Sequence, residues 1–182
     1  MQIVVCPRKE LRSQWYSDKN WFLTPDKIFI TIAGLADGCE YPNPYLAEAE
    51  KNPSKILRLL FDDITESEAD NPALRIFTQD HAKKIHEFID SFKNSYKWFD
   101  GKLYVNCAAG ISRSGAVGYC LNEYVNNNKE NIYWYNLFKE QNSQIQPNPY
   151  VKRLLSNELF GEIDYRKVFE NEWRAWKKVQ NY

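Results

Sequence analysis

Apolar and polar positions divide this chain into short apolar runs and longer amphipathic stretches. Residues 1–5 (MQIVV), 25–33 (PDKIFITIA) and 103–105 (LYV) are β-branched, apolar and aromatic segments of strand length. Residues 55–61 (KILRLLF) are almost continuously apolar, which predicts a strand covered on both faces in a parallel sheet between helices. Residues 78–93 predict an amphipathic helix with Thr78 as N-cap and Ala82, Ile85, Phe88, Ile89 and Phe92 on its apolar stripe.

A second helical period begins near Ser112, where Val117, Cys120, Leu121 and Tyr124 recur at three- and four-residue spacing. Residues 132–140 (IYWYNLFKE) predict an aromatic helix belonging to the core. Residues 145–160 open on Pro147-Asn148-Pro149 and continue as a helix through Val151, Leu154, Leu155 and Leu159, with Gly161 as its stop. Residues 163–180 carry Tyr165, Val168, Phe169, Trp173, Trp176 and Val179 on one side, an amphipathic helix expected to pack on the domain. Residues 8–20 are polar and basic and predict no firm element, while Trp15, Tyr16, Trp21 and Phe22 are expected in the core or a lid. Residues 34–44 and 66–75 read as loops, the second long enough for a flap, and Asp100-Gly101 as a turn.

Strands alternating with helices predict an α/β fold. The expected architecture is one domain over residues 1–182, with a central mostly parallel sheet flanked by helices on both faces.

Composition narrows the function classes. The chain has 182 residues, 43% of them hydrophobic, enough for one sizeable core. Its 24 basic and 24 acidic residues balance, so no global charge favours nucleic acid or a membrane surface, and neither is expected as a partner. No apolar run approaches the roughly 18 residues of a membrane span, and the N-terminus shows no signal-peptide pattern. Cys6, Cys39, Cys107 and Cys120 have neither metal-site nor disulfide-framework spacing. That usage fits a reduced, cytoplasmic setting. His81 and His86, five residues apart on different helix faces, are expected on the solvated surface and not as a metal pair. No metal or other cofactor is expected.

The chemistry concentrates in residues 103–124 (LYVNCAAGISRSGAVGYCLNEY), which read as strand, tight loop and helix. Cys107 falls where the strand ends and Arg113 where the helix begins. A loop entering a helix can aim several backbone N–H groups at one point, forming an anion cradle with the helix dipole. The same field stabilises a thiolate, and a guanidinium grips two phosphate oxygens at once. Thiolate, amide nest and Arg together describe a cysteine nucleophile attacking a bound phosphate monoester, with Ser114 placed to hydrogen-bond the sulfur. The spacing also fits an inert buried cysteine in a strand-to-helix turn.

The segment CAAGISRS resembles the signature loop of the protein-tyrosine phosphatase superfamily, His-Cys-x-x-Gly-x-x-Arg-Ser/Thr, in the Ala-Gly-x-Ser-Arg-Ser form of its dual-specificity branch. Ala109, Gly110, Ser112, Arg113 and Ser114 match that form, and Asn106 stands where the family usually has His. The resemblance spans about residues 25–160. It implies a phosphate-binding loop of Ala108, Ala109, Gly110, Ile111, Ser112 and Arg113 around the nucleophile Cys107. It further implies a general-acid Asp after the apolar strand, which is Asp63 or Asp62. Asp63 is preferred, because it shares alternation with Leu57, Leu59 and Phe61 and falls closer to the family's position. Asn148, in a Pro-Asn turn like the family's, and Asn106 are expected to support the loop.

The implied activity is hydrolysis of phosphate monoesters through a cysteinyl-phosphate. A phosphorylated protein is the expected substrate, since the loop interior is uncharged where polyphosphoinositide phosphatases usually add basic residues. The alternatives are a phosphoinositide or RNA phosphatase, a phosphate-binding pseudophosphatase suggested by Asn106, and a rhodanese-like sulfur carrier.

Overall fold

The computed structural model describes residues 1–18, 20–37, 51, 54–68, 70–94, 97–98 and 100–161. Its helices and strands, numbered among these residues, are β1 (Gln2–Pro7), α1 (Arg8–Ser17), α2 (Asn20–Leu23), β2 (Lys27–Ala33), β3 (Ile56–Leu60), α3 (Gln79–Asp90), β4 (Lys93–Asn94), β5 (Lys97–Trp98), β6 (Lys102–Cys107), α4 (Arg113–Asn126), α5 (Ile132–Gln141) and α6 (Pro149–Phe160). Cys39, most of the loop expected over residues 34–44, and the amphipathic stretch at residues 163–180 lie outside the described residues.

Four strands form one sheet in the order β1-β6-β2-β3, every neighbouring pair parallel. Parallel strands put all their C-terminal ends on one edge, where open α/β sheets bind ligands. Strand β6 is central, so Cys107 leaves the sheet between the ends of β1 and β2, with Pro7 its register partner on β1.

Side-chain alternation gives each face of the sheet its own cover. Ile3, Val5, Ile28, Ile30, Ile32, Leu103 and Val105 point to one face and pack with Ala82 and Ile85 of α3, Val117 and Leu121 of α4, and Val151 and Leu155 of α6. Cys6 and Phe29 point to the other, where Leu11 and Trp15 of α1 and Phe22 of α2 cover them. The expected sheet flanked by helices on both faces is therefore present.

Several local expectations change. Within residues 8–20, where the sequence predicts no firm element, Arg8–Ser17 form α1 and Asn20 begins α2. The apolar stripe of α1 has only Leu11 and Trp15 buried, too narrow to show as a period among charged neighbours. Trp15 and Phe22 are core residues, whereas Tyr16 is 62% exposed. Strand β3 ends the sheet, and Leu60 is 38% exposed, so it is not covered throughout on both faces. Helix α5 forms as expected but gives the core a single side chain. Only Phe138 of α5 is buried, and Tyr133 is 65% exposed.

The helix expected over residues 78–93 stops at Asp90, and Lys93–Asn94 pairs antiparallel with Lys97–Trp98 instead. Neither histidine is simply solvated. His81 completes a reciprocal capping box with Thr78 and stacks on Phe77. His86 bonds Glu158 Oε1 through Nδ1 at 3.0 Å and Tyr124 Oη through Nε2 at 3.1 Å, tying α3 to α4 and α6.

Candidate active site

The site is built where β6 gives way to α4. Buried Cys107 ends the strand, residues 108–112 turn, and Arg113 opens the helix. Gly110 has φ 74°, and a Cβ there would lie 2.4 Å from Pro7 N and 2.5 Å from the Cys6 carbonyl carbon. The loop presses against the end of β1, and only glycine fits both the backbone angle and the gap. This tight turn aims Gly110 N–H back at Cys107 Sγ, 3.3 Å away.

Ser114 Oγ lies 3.1 Å from the same sulfur. Burial pushes the Cys107 thiol up, but the Ser114 hydroxyl, the Ser114 and Gly110 backbone N–H groups and the Arg113 charge outweigh it. The net result is a thiol below its ordinary value. Cys6 and Cys120 lack such a set of donors. Burial drives them to about 12 and about 11, respectively.

Arg113 is buried and held from behind. Its Nη1 donates to Asp37 Oδ2 at 3.0 Å and to Phe61 O at 3.1 Å, and its Nη2 donates to Asp37 Oδ1 at 2.6 Å. Its Nε, also buried, donates to no atom of the described residues, and the carboxylate oxygen Asp63 Oδ2 stands 3.9 Å from it. One edge of the guanidinium is thus fixed in the protein while a donor on the other edge is unused. Asp37 was missed in the sequence. It lies in a short 3₁₀ turn, Leu35–Asp37, 76 residues from Arg113, and no local pattern marks it. The only available signal was chemical, since a buried guanidinium requires a counter-charge.

The two aspartates after β3 separate cleanly. Asp62 is 3% exposed, its Oδ2 accepting from Arg75 N at 2.9 Å while its own N–H donates to Arg75 O at 2.7 Å. It fastens the chain after β3. The side chain of Asp63 is 39% exposed and faces the loop. Its Oδ1 accepts from Ser112 Oγ at 2.7 Å and Asn148 Nδ2 at 2.9 Å, which leaves Oδ2 as the oxygen nearer Arg113 Nε.

Asn148 supports the site in three ways. Its Oδ1 caps α6 by accepting from Tyr150 N and Val151 N, its Nδ2 holds Asp63 and Ile64 O, and its backbone N–H donates to Ser112 O at 3.2 Å. With Gln146 N donating to Ile111 O, the segment before α6 is stitched to the loop. Ala108, Ala109 and Ile111 bring no charge, and Ile111 stands at the surface.

Asn106 does not make the hydrogen bonds expected of a loop brace. It is 0% exposed, on the sheet face shared by its register partners Cys6 and Thr31, and neither Nδ2 nor Oδ1 has a hydrogen-bond partner among the described residues. Cys107, the next residue, points to the opposite face.

No protein-family model matches the chain, and no curated protein matches it. Solved structures do. A crystal structure of PTPMT1 in complex with PI(5)P superposes with a TM-score of 0.50 and 18% identity, over 86% of this chain and 89% of that one. A further crystal structure of PTPMT1 gives 0.46 and 17% identity, over 92% and 94%. By the first of these likenesses, together with its parallel sheet between helices, the chain has the fold of the dual-specificity-like protein tyrosine phosphatases. At the end of its central strand, that fold carries the Cys107–Arg113 loop just described.

Proposed function

We propose that this protein is a cysteine-dependent phosphatase that hydrolyses phosphate monoesters through a cysteinyl-phosphate. Supporting this reading above all is a depressed thiol and an unused, buried guanidinium Nε within one amide-lined loop. An inert structural cysteine needs neither, and a rhodanese-like carrier has no use for Asp63 beside the loop.

Cys107 Sγ attacks phosphorus in line. The S–P bond forms as the bond to the leaving oxygen breaks, and Asp63 passes its Oδ2 proton to that oxygen. Arg113 and the loop N–H groups stabilise the charge on the equatorial oxygens. Water then attacks phosphorus, Asp63 takes its proton, and inorganic phosphate leaves. The Ser114 hydroxyl hydrogen-bonds the departing thiolate. These groups complete the cycle without a metal ion, and a reducing, cytoplasm-like setting would keep the thiol active.

On substrate, the uncharged loop interior supports a phosphotyrosine or phosphoserine/threonine side chain. The likeness to PTPMT1, a structure of which holds PI(5)P, supports a phosphoinositide monophosphate, and that reading takes precedence. Turnover of a small aryl phosphate in EDTA tests the reaction, and no turnover would refute it. Phosphate release from PI(5)P vesicles against a phosphotyrosine peptide tests the substrate order.

A further inference from the structure

The residues that hold Arg113 are themselves held. Asp37 Oδ2 accepts from Arg113 Nη1 at 3.0 Å, from Gly34 N at 2.9 Å and from Arg8 Nη2 at 3.0 Å. The same Arg8 Nη2 donates to Ile32 O at 2.9 Å. Arg8 starts α1 directly after Pro7, the register partner of Cys107. Ile32 is on β2, one residue past Thr31, the partner of Asn106, and so level with Cys107. Strands β1 and β2 flank β6, which separates their backbones by two strand spacings, about 9.6 Å. The Arg8 side chain therefore reaches across the end of β6, beside the strand end that carries the nucleophile.

We infer that Arg8 is a positioning residue for Arg113, acting through Asp37. This rests on the phosphatase reading above. Gly34 N holds Asp37 Oδ2 from the backbone of its own turn. Arg8, braced on the Ile32 carbonyl, holds the same oxygen from the opposite strand and so restrains the carboxylate. A fixed carboxylate fixes the guanidinium, because Oδ1 and Oδ2 receive Nη2 and Nη1 in parallel. Gly34 sits against this contact. A Cβ there would lie 2.8 Å from Arg113 Nη1 and 2.3 Å from Asp62 Oδ1, so the turn itself is shaped to the relay. Ion-pair rigidity matters here because transition-state stabilisation tolerates little displacement, a shift of about 1 Å costing up to about 100-fold.

The test compares wild type, Arg8→Met, Arg8→Lys, Asp37→Asn and the Arg8→Met/Asp37→Asn double variant. Each is assayed for aryl phosphate turnover, for tungstate affinity by calorimetry and for Tm. Arg8→Met is expected to lower kcat about 10-fold and weaken tungstate by a similar factor. Arg8→Lys, whose ammonium can still donate to both Ile32 O and Asp37, should recover much of the loss. In the Asp37→Asn background, Arg8→Met should cost little more, because it acts through Asp37.

A loss that persists fully in that background would overturn the relay and make Arg8 a direct contact. A lower Tm with unchanged kcat and tungstate affinity would overturn it in favour of plain packing. If wild type bound tungstate and turned over while Arg8→Met matched it, the inference would fall alone. If wild type did neither, the phosphatase reading would fall and take the relay with it.

Discussion

Asn148 Nδ2 donates to Asp63 Oδ1 at 2.9 Å across 85 residues of sequence, and this contact joins the start of α6 to the carboxylate facing the phosphate loop. With Ser112 Oγ on the same oxygen, it assigns the two carboxylate oxygens different duties. Oδ1 is occupied as an acceptor, and in the proposed phosphatase cycle Oδ2 is the oxygen that would carry a proton toward the leaving group. Asn148→Ser keeps a side-chain oxygen for the α6 cap but cannot reach Asp63. Turnover should fall about 10-fold for alkyl phosphates, which need protonation, and much less for p-nitrophenyl phosphate, while the lost bond to the buried Ile64 carbonyl costs about 1–3 kcal/mol of stability. Equal losses on both substrates would count against acid positioning.

The neighbouring aspartates should part company in experiment. Asp63→Asn is expected to lower kcat by about 10²–10⁴, most for poor leaving groups. Asp62→Ala instead strips a buried acceptor from Arg75 N, costing about 1–3 kcal/mol of stability. For a chain of this size that lowers Tm by roughly 2–4 °C per kcal/mol. A leaving-group dependence in an Asp62 variant would reverse the assignment.

Thiol chemistry should be selective. Iodoacetamide at pH 7 is expected to label Cys107 ahead of Cys6 and Cys120, whose thiols lie at about 12 and about 11. A depressed thiol is ionised above its lowered value and becomes a neutral thiol as pH falls through it, so labelling and kcat/KM should share an acid limb. Ser114→Ala removes a bond that favours the thiolate, and the Cys107 labelling midpoint should move up. Cys107→Ser should bind tungstate and turn nothing over. Peptide mapping by mass spectrometry reads the first result, and prominent Cys6 or Cys120 adducts would contradict it.

Asn106 brings a buried amide, without hydrogen bonds among the described residues, to the face opposite Cys107. Unsatisfied groups of this kind cost about 1–3 kcal/mol. The near-isosteric Asn106→Leu should raise Tm by several degrees, with kcat within about threefold of wild type. A folded Leu variant with collapsed turnover would restore Asn106 as a support of the loop. Turnover by wild type would itself remove the pseudophosphatase alternative.

What the sequence determined by itself was local. The strand, glycine turn and helix around Cys107 were legible because all their parts lie within residues 103–124, where period and backbone chemistry need no distant partner. Helix α1 was not, because two buried residues among charges carry too weak a period. The outward aromatic face of α5 was also hidden, because aromatic content does not say which side a helix turns to solvent.

Tertiary structure alone decided how the loop's groups are used. Asp62 and Asp63 have the same chemistry at adjacent positions, and only the paths of residue 75 and α6 gave one a structural bond and the other the loop. Asp37 and Arg8 carry no motif. Asp37 meets Arg113, and Arg8 meets Asp37, because a parallel sheet gathers the ends of β1, β6 and β2 on one edge, bringing charges from distant parts of the chain within hydrogen-bond reach.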